Sequence, residues 1–103
     1  MPKTISELCT EAHQTAIDKG WYEEPVQFGT AIALMHSELS EALEVYRRES
    51  GQRFKTGIAE ELADVCIRIF DTCGYMGLDL ETAIREKMEI NNGRAYRHGG
   101  KRI

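Results

Sequence analysis

Glu38 and Glu41 stand three residues apart, and after nineteen intervening residues Glu61 and Asp64 stand three apart again. Residues at this spacing are neighbours on a helix surface. Each pair therefore aims two carboxylates at one spot if its segment is helical. Two such helices packed antiparallel would converge four negative charges. Carboxylates that close repel one another and are costly to bring out of water, and a cation among them relieves both terms. Hard oxygen donors suit Mg²⁺, with Mn²⁺ as the second choice. Bound Mg²⁺ usually keeps several waters and accepts substrate phosphates as further ligands. The spacing thus points to phosphate chemistry.

A second set of groups lies downstream, with Lys87, Asn91 and Arg94 at spacings of four and three. Cations near a helix C-terminus are favoured in any case. Beside a carboxylate cluster they become candidate phosphate ligands, Arg as a fork and Lys as a point charge. Other chemistries find little support. A di-iron site needs Glu-x-x-His on its helices, and none of His13, His36 and His98 provides that spacing within the acidic segments. There is no Walker A loop, no G-x-G-x-x-G and no Ser/His/Asp signature. Trp21, in an aromatic loop with Tyr22 and Phe28, reads as a core residue or as a platform for a base.

Capping residues and apolar spacing define the elements that must position these groups. Thr4 with Glu7 forms a capping box and Gly20 a stop, which predicts a first helix over residues 5–19. A second helix is predicted over 30–48, with Ile32, Met35, Leu39, Leu43 and Tyr46 on one side and Leu34, Ala42 and Val45 beside them. Glu38 falls inside that apolar arc and Glu41 at its edge, so Glu38 is the costlier to leave without a partner. Residues 49–57 read as a loop. A third helix is predicted over 58–75, with Ile58, Leu62, Val65, Ile69, Cys73 and Met76 as its buried stripe and Gly77 as its end. Asp79 caps a fourth, reaching Asn92 before Gly93. Its inner face begins with Leu80, Ala83 and Ile84 and continues as Lys87, Asn91 and Arg94. The expected fold is all-α and four-helix bundle-like.

At 103 residues, 42% of them hydrophobic, the chain is expected to be one domain with a small core. The net charge of −4 argues against a nucleic-acid polymer or a membrane surface as partner. A basic tail nonetheless follows the fourth helix, with Arg94, Arg97, His98, Lys101 and Arg102 and no acid. Cys9, Cys66 and Cys73 form no metal or redox spacing and read as buried thiols of a cytoplasmic protein. No apolar run approaches a membrane span, and no signal-peptide pattern is present. The broad apolar face of the second helix suggests burial on more than one side, hence a homo-oligomer.

Taken in order, the runs His36–Glu44 (HSELSEALE), Glu61–Asp64 (ELAD) and Lys87–Arg94 (KMEINNGR) resemble the MazG-type nucleotide pyrophosphohydrolases of the all-α NTP pyrophosphatase superfamily. The likeness covers most of the chain from the second helix onward. The two-part acidic motif is its specific element; the first helix, the aromatic loop and the His98–Lys101 tail match less distinctively. The resemblance implies one MazG-like domain over 1–103. It also implies Mg²⁺-dependent hydrolysis of a nucleoside triphosphate between the α and β phosphates, to the monophosphate and pyrophosphate. Glu38, Glu41, Glu61 and Asp64 would be the metal ligands, and Lys87, Asn91 and Arg94 would bind the phosphates. Assembly as a homodimer or homotetramer is implied too. Glu41 is the residue assigned to take the proton of the attacking water, with Glu44 and Glu60 as neighbouring alternatives. Two competing readings are a phosphoribosyl-ATP-type pyrophosphohydrolase and a non-catalytic helical oligomer whose acids only solvate two helices.

Overall fold

The structure, a computed structural model, describes residues 2–94. They form four α-helices and no strand: α1 (Ile5–Asp18), α2 (Phe28–Arg48), α3 (Gly51–Met76) and α4 (Leu80–Asn92). The expected helix signals operate as read. The Thr4 hydroxyl accepts from the Glu7 amide at 3.1 Å, while the Glu7 carboxylate accepts from the Thr4 amide at 2.9 Å. Asp79 caps α4 by accepting from the Thr82 amide at 3.1 Å. Gly77 ends α3 in the left-handed conformation, with φ 68°.

The loop expected over 49–57 is not a loop. Only Glu49 and Ser50 separate α2 from α3, which begins at Gly51 and runs unbroken through Gly57. Gly57 serves a close helix approach rather than a stop: a Cβ there would meet Val45 Cγ1 at 2.8 Å. α2 likewise starts two residues earlier than expected, at Phe28 after Gln27, which makes no side-chain cap bond.

α3 is the central element and packs against both α1 and α2. α2 runs antiparallel to it, as Glu38 meets Arg68 near the middle and Val45 meets Gly57 near one end. α1 is antiparallel as well, with Cys9 and His13 against Gly74. The face of α2 turned to α3 carries Ala31, Met35, Glu38, Ala42 and Val45, all half-buried at spacings of four and three. Leu34, Leu39, Leu43 and Tyr46 stay exposed. On α3 the expected stripe is only partly covered. Val65 and Cys73 are buried, whereas Leu62 and Met76 remain 44% and 46% exposed. Cys9 and Cys73 are buried thiols as expected, but Cys66 is exposed because it faces away from both neighbouring helices.

α4 docks on α1, tied there by the Ser6 amide donating to Glu81 at 3.2 Å. Leu80 and Ile84 are half-buried; Ala83 and the described residues beyond Ile84, 85–94, are exposed. The helices therefore form a three-helix layer with α4 leaning from one side, not a closed bundle of four. The chain exposes 8377 Å², where a folded monomer of this mass exposes about 5,900 Å². Its radius of gyration is 16.4 Å, against about 13 Å for a compact domain of this length. Among the described residues, no helix is long and apolar enough to cross a membrane.

Candidate functional site

The site is built where α2 and α3 cross near Glu38. Antiparallel packing places the Glu-x-x-Glu turn of α2 opposite the Glu-x-x-Asp turn of α3. Carboxylate oxygens of Glu38, Glu61 and Asp64 lie within 4.8 Å of one another. Glu41 stands beside them and acts on Glu61. The Glu61 carboxyl is held above its ordinary range, first by desolvation, then by a hydrogen bond shared with Glu41, then by the charges of Glu41, Asp64 and Glu38. The four acidic residues singled out by spacing thus share one neighbourhood. Glu61 is half-buried, and its Oε2 is shielded from solvent with no hydrogen-bond partner among the described residues.

A cavity of about 500 Å³ opens beside the cluster, between α1 and α3. Glu38 and Asp64 stand at its edge, and Leu8, Ala12, Ile67, Phe70 and Trp21 supply much of its wall. Its surface is mostly apolar and includes the Trp21 indole, while Glu11, Lys19 and Asp71 also reach it. Arg68 sits at the junction. Its Nε donates to Glu38 Oε1 at 2.9 Å, and its guanidinium carbon lies 5.2 Å from the centre of the Trp21 ring.

No family model, curated protein or solved structure matches this chain.

Lys87, Asn91 and Arg94 are all exposed on α4 or just beyond it, and none of them lines the cavity. Within one chain they are not brought to the carboxylates, because α4 packs on α1 and leaves its second half in solvent. Arg97, His98, Lys101 and Arg102 of the basic tail lie outside the described residues, as does the His98–Lys101 segment. Of the alternatives to Glu41 as proton acceptor, Glu44 is paired with Arg47 at 3.3 Å and Arg48 at 2.9 Å on the outer side of α2. Glu60 is exposed.

Sequence reasoning passed over Arg68 and Asp71. Asp71 Oδ1 accepts from the Tyr22 hydroxyl at 2.9 Å and from His13 Nδ1 at 3.0 Å. The Tyr22 ring stacks on Tyr75 at 4.5 Å and meets His13 edge-on at 4.7 Å. Burial, then the bond to Asp71, push the Tyr22 hydroxyl far above its ordinary range, so it stays a donor and pins the aromatic loop to α3. A signal was present: Glu61, Asp64, Arg68, Asp71 and Tyr75 recur at spacings of three, four, three and four. They trace a polar stripe beside the apolar one.

Proposed function

We propose that this chain is a Mg²⁺-dependent nucleoside triphosphate pyrophosphohydrolase of the MazG type, cleaving between the α and β phosphates to yield the monophosphate and pyrophosphate. The observation that carries the reading is the meeting of Glu38, Glu61 and Asp64 within 4.8 Å, with Glu41 alongside, at the mouth of an apolar cavity. The residues suit a hard divalent ion. Every donor is a carboxylate oxygen, and the shielded Oε2 of Glu61 has no partner among the described residues. Glu38, Glu61 and Asp64 would hold the ion, with Glu41 as the fourth carboxylate. Bound there, Mg²⁺ supplies neutralisation of phosphate charge and a more acidic water.

The chain's own groups do the remaining work. Glu41 and Asp64 are the exposed members of the four, and Glu41, which stands outside the three converging ligand oxygens, is the one free to accept a proton from water. The apolar walls and the Trp21 face suit a planar base, which places the triphosphate toward Glu38 and Asp64. Lys87, Asn91 and Arg94 complete the phosphate site from a second copy of the chain. The large exposed area and the uncovered Leu34, Leu39, Leu43 and Tyr46 support a homodimer, or a tetramer built from it.

Pyrophosphate release from a panel of NTPs and dNTPs, with Mg²⁺ and with EDTA, tests the reaction. Mg²⁺-dependent pyrophosphate with the matching monophosphate is the expected result. Orthophosphate release would mean that a different bond is cut. No turnover on the panel, with turnover of phosphoribosyl-ATP, would transfer the site to that substrate. For the assembly, sedimentation equilibrium is expected to show a dimer or tetramer. Exchanging both Leu39 and Leu43 for Arg should convert it to monomer and abolish pyrophosphate release. A native chain that sediments as a monomer at micromolar concentration sinks the shared site.

A further inference from the structure

We propose that Arg68 is a positioning residue, holding Glu38 in its ligand orientation and coupling the carboxylate cluster to the cavity through Trp21; this rests on the metal-dependent reading above. Arg68 follows Asp64 by one helical turn, so α3 places it beside the acids without help from any loop. Its side chain and that of Glu38 are 25% and 15% exposed, so the 2.9 Å contact is largely screened from water. Among the described residues, Glu38 is the only carboxylate within ion-pair range of Arg68. The bond engages Oε1, and the Glu38 carboxylate still brings an oxygen to within 4.8 Å of those of Glu61 and Asp64.

A carboxylate on a helix turns freely about its terminal bond unless something holds one oxygen. Outer partners of this kind orient metal ligands, and their loss typically weakens metal binding about 10- to 100-fold. Arginine suits the task where lysine does not. The guanidinium donates to Glu38 through Nε while its carbon lies over the Trp21 ring at 5.2 Å, and a compact ammonium is not shaped to make both contacts at once. Trp21 therefore touches both the cavity and the group that orients Glu38. As the sole tryptophan of the chain, it also reports on that contact.

The test is a Mg²⁺ titration of the full chain and of Arg68→Met and Arg68→Lys, followed by calorimetry and by Trp21 emission, with helicity checked by circular dichroism. The native chain is expected to bind Mg²⁺ with an emission change that EDTA reverses. Both variants should bind about 10- to 100-fold more weakly, and Arg68→Met should lose the emission change. Arg68→Lys decides the matter if Arg68→Met does not fold. Unchanged or tighter binding in the folded variants overturns the proposal, since Arg68 would then only neutralise Glu38 and compete with the ion. An unresponsive Trp21 in a native chain that binds Mg²⁺ overturns the coupling. Absence of Mg²⁺ binding to the native chain removes the metal-dependent reading and this proposal together, whereas native binding with unaffected variants removes this proposal alone.

Discussion

Exchanging Glu38 for Gln is expected to lower Mg²⁺-dependent pyrophosphate release at least about 100-fold, the scale lost when one preorganised charge-stabilising group is removed. Glu38 is the member of the cluster that also holds Arg68, so the change both weakens a ligand and loosens its outer partner. Helical content should survive, because the amide keeps the shape of the carboxylate and can still accept from Arg68 Nε. Glu44→Gln provides the matched control. Glu44 sits on the same helix but pairs outward with Arg47 and Arg48, and its loss should leave turnover within about twofold. Steady-state rates of the two variants decide the matter. Near-native turnover in Glu38→Gln, with its fold intact, would show that the ion is not held where the acids converge.

The second large effect concerns the scaffold. Gly74→Ala is expected to destabilise the protein by about 2 kcal/mol, roughly a 10 °C fall in Tm for a domain of this size. A Cβ at Gly74 would lie 2.7 Å from the Cys9 carbonyl oxygen and 2.7 Å from His13 Cβ. Neither atom can step aside unless α1 moves, and α1 carries one wall of the cavity and His13 of the Asp71 cluster. Gly57→Ala meets only the Val45 side chain, which can turn, and it gains up to about 1 kcal/mol of helix propensity. Its Tm should therefore change by much less. Thermal melts at matched protein concentration separate the two, and equal losses would show that the α1–α3 approach at Gly74 is not the tighter one.

The acidic site was legible because its information is local. Within one helix, spacings of three and four decide which side chains share a face, so Glu38 with Glu41 and Glu61 with Asp64 could be paired without any coordinates. Thr4, Asp79 and Gly77 were legible for the same reason, since a cap is satisfied within a few residues of itself. The link between α2 and α3 was misread because glycine has two uses. Gly57 resembles a breaker by propensity, yet its role is to admit Val45 from another helix, a demand that no local window contains.

Arg68 shows the same limit. An arginine on a helix reads as a solvated residue, and only the packing of α3 between α1 and α2 sets it between Trp21 and Glu38. The cavity, the aromatic cluster around Asp71 and the exposed ends of Lys87, Asn91 and Arg94 also follow from how the helices are placed. By itself, then, the sequence determined four helices, the caps at Thr4, Asp79 and Gly77 and the turns on which the carboxylates pair. The tertiary structure alone decided that three of those carboxylates meet within 4.8 Å, that a cavity opens beside them and that the α4 cations stand apart. The physical reason is range: periodicity and capping act over one or two helical turns, whereas the meeting of residues on different helices, well beyond that span in the sequence, is set by which apolar faces bury one another.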